Sequence, residues 1–182
     1  PLLDLTRDSA SPADGDVTGI IRFRADNDAG EVTTTGQIVS LLNDASDGTE
    51  DGELKVETMI AGSAQPRIDI LPSETVFNEG GLDVDFRVEG DSFTNLFKVD
   101  AGNDFVLIGC SSLPSDSVGG AGFEKAGDNR MILNLSTTTT SSRNVAVFRN
   151  SNNAVGSINT SGSSTGFNTS SDYRLKENVV TD

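Results

Sequence analysis

Leu82-Asp83-Val84-Asp85-Phe86-Arg87-Val88-Glu89 alternates apolar and charged residues without a break. Side chains repeat every two residues only along a strand, so Leu82, Val84, Phe86 and Val88 fall on one face. Asp83, Asp85, Arg87 and Glu89 fall on the other. A helix would scatter the same residues around its circumference. This stretch therefore predicts a β-strand with one greasy side and one wet side. Asp83, Asp85 and Arg87 could suggest a site, but on an alternating strand they read as a solvated face.

The same arithmetic extends outward. Gly90-Asp91 turns the chain, and Leu96–Asp100 and Phe105–Gly109 are two further strands split by Gly102-Asn103-Asp104. Upstream, Gly19–Arg24 is a strand with Ile21 and Phe23 opposite Arg22 and Arg24. Glu53–Ile60 sets Leu54, Val56, Thr58 and Ile60 against Glu53, Lys55, Glu57 and Met59; Ala61–Ala64 turns and Arg67–Ile70 returns. Downstream, Arg130–Leu135, Val145–Arg149 and Ala154–Asn159 are strands. Short strands at this spacing predict an all-β chain. One segment changes period: Ile38, Leu41 and Leu42 stand at i, i+3, i+4 behind Thr34 and Thr35, which predicts a short helix near 35–43.

These runs divide the chain as follows: 1–17 a linker or the end of a preceding shaft, 18–72 a first module, 73–117 a second, 118–168 a third, and 169–182 a junction. The chain begins with Pro1 instead of Met and is expected to be a fragment of something longer. Pro1-Leu2-Leu3 and Leu5 are expected to pack on a neighbouring module.

Composition limits the core. Apolar residues make up 35% and aromatics 5%, with no Trp. Ordinary globular chains reach about 45–50% apolar on a count that includes glycine, of which there are 19 here. Little private core is available per chain. A sheet with one apolar side must cover that side, and copies of the chain are the natural cover. The formal charge is −15, which argues against nucleic acid, whose phosphates reward cations, and against anionic membranes. No signal peptide or span of about 20 apolar residues appears.

Cysteine chemistry is limited to Cys110, which follows the apolar run Phe105–Gly109 and reads as a buried thiol. The acidic run Asp44–Glu53 invites a calcium reading, but its spacing fails. With Asp47 first, Gly52 is sixth, but Thr58 stands twelfth, where a bidentate Glu is needed. Asp-Gly turns explain the run better, and no metal or other cofactor is expected.

Ser170-Ser171-Asp172-Tyr173-Arg174-Leu175-Lys176-Glu177-Asn178-Val179 reads locally as a helix start, with Ser171 or Asp172 as cap and Leu175–Val179 as an apolar pair. The string also resembles the junction in bacteriophage tail fibres and tail spikes where an endosialidase-type intramolecular chaperone begins. Three further segments resemble phage fibre modules: Ile21-x-Phe23 with Asp47-Gly48-x-Glu50-Asp51-Gly52-x-Leu54, the phrase from Val76-Phe77-Asn78-Glu79 to Leu107-Ile108-Gly109, and Val155-Gly156-Ser157-Ile158 with the Gly/Ser run after it.

The resemblance implies a fold and a function. The fold would be an elongated homotrimeric fibre of short antiparallel strands, in β-prism or triple-β-like modules, with the one short helix. The function would be that of a virion structural protein, the distal segment of a fibre or spike for host attachment, made in the host cytoplasm. Its partners would be two further copies, other phage tail proteins and a host cell-surface receptor. Exposed loops such as Ser136–Ser142 and Ser151–Asn153 would face that receptor.

The chaperone would cut itself free between Ser171 and Asp172, with Ser171 as nucleophile and Lys176 as general base. A serine needs such a base, and the chain has no histidine. A lysine serves once burial lowers its pKa. The sequence ends at Asp182, so self-cleavage is not expected from this chain as it stands, and no other enzymatic activity is expected. The alternatives are a spike that hydrolyses polysaccharide with paired carboxylates, for which aromatic sugar platforms are scarce, and a non-phage surface adhesin.

Overall fold

The computed structural model describes residues 1–169, in two compact units, Pro1–Val84 and a second beginning at Asp85. Among the described residues there are thirteen strands and no helix. The first unit holds one antiparallel sheet, β1(Asp16–Asp26), β2(Val32–Asp44), β3(Asp51–Ile60), β4(Ser63–Ile70) and β5(Thr75–Phe77), paired in that order. The second unit holds two. One contains β6(Phe86–Val88), β7(Phe97–Asp100), β8(Phe105–Ile108), β9(Gly120–Lys125) and β10(Met131–Ser136), and the other β11(Arg143–Asn150), β12(Asn153–Ser161) and β13(Ser164–Thr169). All three are meanders in which each strand pairs with its neighbour in sequence.

The short helix near 35–43 is not present. Its residues lie in β2, the longest strand, between β1 and β3. Apolar pairs cause the ambiguity: Ile38-Val39 and Leu41-Leu42 imitate a helical stripe. In the sheet they send Ile38 and Leu42 to one face and Val39 and Leu41 to the other. The β-branched run Val32-Thr33-Thr34-Thr35 leading into them suits the extended chain.

The alternating stretch Leu82–Glu89 is a strand only over Phe86–Val88. Its first half is held in a turn by Asn78, whose Nδ2 donates to Leu82 O (2.7 Å) and whose Oδ1 accepts from Leu82 N (3.2 Å). Asn78 and Gly81 both have positive φ there. The division between the units falls between Val84 and Asp85, inside the alternating run.

Elsewhere the strands lie where the pattern placed them, with additions. β5, β9 and β13 are strands that carry few apolar residues. β8 and β9 are hydrogen-bonded neighbours (Val106↔Phe123, Ile108↔Ala121), so one sheet runs across the expected 117/118 module boundary. The Ala61-Gly62 turn joins β3 to β4 with φ of 47° and 84°, as a two-residue hairpin requires. Asp47-Gly48 is a turn, with Thr49 N donating to Ser46 O, whereas Asp51-Gly52 begins β3.

The interior is small. Among the described residues the buried apolar side chains are Val39, Leu107 and Cys110, together with Pro114. The last three belong to one cluster, where loop 109–118 folds over β8 and β9. Gly122 makes the approach feasible, since a Cβ there would lie 2.7 Å from Pro114 Cδ and 3.1 Å from Leu107 Cδ2. Ser136 Oγ ties the loop down by donating toward Ser115 O and Val118 O (2.5 and 2.7 Å). Cys110 is the buried thiol expected, with Sγ 3.5 Å from Ala121 O.

Candidate functional site

Register converts the strand patterns into surfaces. In the second sheet, Phe86, Val99, Val106, Phe123 and Leu133 stand side by side across all five strands. Val88, Phe97, Ile108, Ala121 and Leu135 form the adjoining row, two residues along and so on the same face. Phe86 and Phe97 meet edge to face with centroids 6.3 Å apart. The loop cluster of Leu107, Cys110, Pro114 and Gly122 occupies the opposite side. Among the described residues nothing comparable covers this one: Phe86, Val88, Ile108, Phe123 and Leu133 all remain exposed.

The first sheet repeats the arrangement. Ile21, Ile38, Val56, Ile68 and Phe77 are aligned across β1 to β5, with Leu54 and Ile70 in the next row and Phe23 beside Gly36. Ile21, Phe23, Leu54, Ile70 and Phe77 are exposed. Leu5 leans on this face. It rests over Gly19, where a Cβ would come within 3.1 Å of Leu5 Cβ, and it walls a hollow of about 150 Å3 with Ile21, Ile38 and Leu54. Arg7 anchors the segment through Asp16 (3.0 Å) and Val17 O (3.1 Å). The neighbour that Leu5 packs on is thus the first sheet.

The third sheet has one apolar row, Ala146, Ile158 and Phe167, flanked by Phe148. Phe148 and Phe167 are exposed, Phe167 at 76%. Its other face carries Val147 beside a polar cluster. Asn168 Nδ2 donates to Asn159 Oδ1 (2.7 Å) and Ser157 Oγ (3.3 Å), and Asn159 Nδ2 donates to Ser142 Oγ (3.0 Å).

Among the described residues each sheet thus keeps large apolar side chains exposed on one face, covered in part by Leu5 on the first sheet. Exposed apolar rows that run across several strands are a feature shared by interaction surfaces and ligand-binding grooves.

Several charged residues are occupied with structure. Lys98 Nζ bridges Asp100 Oδ2 (2.8 Å) and Asp85 Oδ2 (2.9 Å), and Asp100 Oδ1 accepts from Asn103 N and Nδ2 (3.1 and 2.9 Å). The hydrogen bond from Lys98, helped by Asn103, lowers the Asp100 pKa, and the two aspartates raise that of Lys98. Of the acidic stretch singled out above, Asp85 is an ion-pair partner and Arg87 pairs with Glu89. Loop residues 138–142 are exposed, as is the Ser151–Asn153 turn. Ser171 and Lys176 lie outside the described residues.

Alternation identifies half of each face but not its assembly. Leu133 and Leu135 are legible as strand residues, yet nothing local tells that they share a surface with Phe86 and Val88. No protein-family model, curated protein or solved structure matches the chain.

Proposed function

We propose that the chain is a distal segment of a bacteriophage tail fibre or tail spike, a virion structural protein for host attachment. Three copies associate through the apolar sheet faces, forming an elongated fibre of β-prism or triple-β-like modules. An endosialidase-type intramolecular chaperone starting at the 169–182 junction assists trimerisation and leaves by cleavage between Ser171 and Asp172. Other tail proteins and a host cell-surface receptor are the remaining partners. Neither nucleic acid nor insertion into a membrane belongs to this reading, in keeping with the charge of −15.

The observation that carries the reading is the row of exposed apolar side chains on every sheet, covered only in part, by Leu5, on the first. Covering one Phe or Leu on such a face contributes roughly 1.5–3 kcal/mol, and a copy of the chain offers a matching surface. The number three and the phage setting come from the junction string and the three fibre-like segments.

Sedimentation of the purified chain tests it. The expected species has three times the 19.1 kDa chain mass; a well-folded dilute monomer sinks the reading. In a polypeptide carrying the whole chaperone, Ser171→Ala is expected to abolish cleavage, read as loss of the shortened product by intact mass, while leaving the trimer formed.

A further inference from the structure

On the side of the first sheet opposite its apolar face, two covered carboxyls compete for one cation. Lys55 and Asp69 are cross-strand partners between β3 and β4, and Glu53 precedes Lys55 by two residues on the same face. Glu53 is 8% exposed and Asp69 3%. The Lys55 ammonium is 2.6 Å from Glu53 Oε1 and 3.7 Å from Asp69 Oδ2. Asp69 Oδ1 is buried and has no hydrogen-bond partner.

The surroundings offer little help. From β2, Val39 and Leu41 stand beside Lys55 and Glu53, and Asn43 reaches Glu53. From β5, Val76 stands beside Asp69. The other charged groups acting here are Glu57 on Lys55 and Glu79 on Asp69, both negative. With both carboxyls ionised, one lysine faces an excess of negative charge and an acceptor is left without a donor, which is costly under cover.

A proton removes both faults. Protonated, Asp69 becomes a donor, and the Glu53 carboxylate is an acceptor within its reach. We propose that Glu53 and Asp69 share one proton beside Lys55, and that this proton latches β3 to β4, so that the pairing weakens as pH rises above the ordinary carboxylate range. The inference stands independently of the fibre reading.

Burial raises the Asp69 pKa, and the hydrogen bond to Glu53 raises it further. Burial alone would raise Glu53 as well, but the hydrogen bonds from Lys55 and Asp69 outweigh it and Glu53 is lowered. A raised carboxyl binds its proton more tightly folded than unfolded, so the stability it contributes is lost as pH rises through the folded value. The lowered Glu53 sets the opposite limit, with stability lost as pH falls through its folded value. The stability maximum lies between the two. Because Leu54, Val56, Ile68 and Ile70 are on the reverse of the same two strands, the latch also steadies the apolar face.

Denaturant unfolding of the wild type and Asp69→Asn tests this, at fixed chain concentration and from about pH 5 to about pH 8. Asparagine keeps a donor toward Glu53 and cannot lose it. The wild-type unfolding constant is expected to rise with pH, by at most about tenfold per pH unit for one proton, while the variant's profile is flat by comparison. Parallel profiles overturn the proposal. If the variant does not fold, wild-type hydrogen exchange decides. After correction for intrinsic rates, protection of β3 and β4 amides is expected to fall with pH relative to β7 and β8 amides. A constant ratio overturns the latch.

Discussion

Gly122 shows what one missing methyl group permits. The covered cluster of the second unit depends on Pro114 and Leu107 reaching the β9 backbone. Gly122→Ala puts a Cβ into a proline ring that cannot swing aside. Overpacking of this kind costs about 1–3 kcal/mol, to be read as a lower urea midpoint. Cys110 belongs to the same loop and is buried beneath its remainder, so its reaction with a thiol reagent should accelerate in the variant. The burial of Cys110 is legible in the sequence, because the thiol follows an apolar strand. The need for glycine at 122 is not, since the contact joins residues that no periodicity connects.

At the scale of elements, alternation succeeds where one face is wet and fails where both faces are partly covered or neither is strongly apolar. β3 is legible because Glu53, Lys55 and Glu57 interrupt its apolar residues. β2 is not, because Val39 and Leu41 add apolar residues to the face opposite Ile38 and Leu42, and the resulting pairs imitate a helical stripe. β9 opens with Gly120-Ala121-Gly122, dictated by the loop above it, and β13 has Phe167 as its one large apolar residue. The most regular stretch, Leu82–Glu89, misleads: Asn78 captures Leu82 in a turn, and local hydrogen bonds outweigh pattern. The apolar face of the second sheet gives the prediction proper to this scale. Leu133 is half exposed in the single chain, so Leu133→Asp should change the fold of one chain by less than about 0.5 kcal/mol. It should nevertheless prevent association, because assembly would bury the new carboxylate unpaired. Sedimentation should show smaller species for this variant and none for Thr139→Asp in the exposed linker.

For the molecule as a whole, greasy surface and net charge oppose each other. Association would gather three chains of charge −15, and their repulsion is long-ranged and screened by salt. Raising ionic strength from about 0.01 M to about 0.15 M shortens the screening length from about 30 Å to about 8 Å. The association midpoint should therefore move to lower chain concentration. A midpoint indifferent to salt would show that charge is already neutralised within the assembly. Composition makes this balance legible, since a chain with so few apolar residues cannot cover its own strands. The arrangement of the faces across registers had to come from the structure.

The meander order has a consequence for how the protein is made. Within each sheet every strand after the first pairs with the one before it, so each sheet can close within moments of its last strand leaving the ribosome, with only local loops to order. Nascent chains then carry finished sheets whose oily sides wait for company. If copies associate as proposed above, their meeting is the slow, encounter-limited step, and during that wait the polypeptide is at its most vulnerable to clumping.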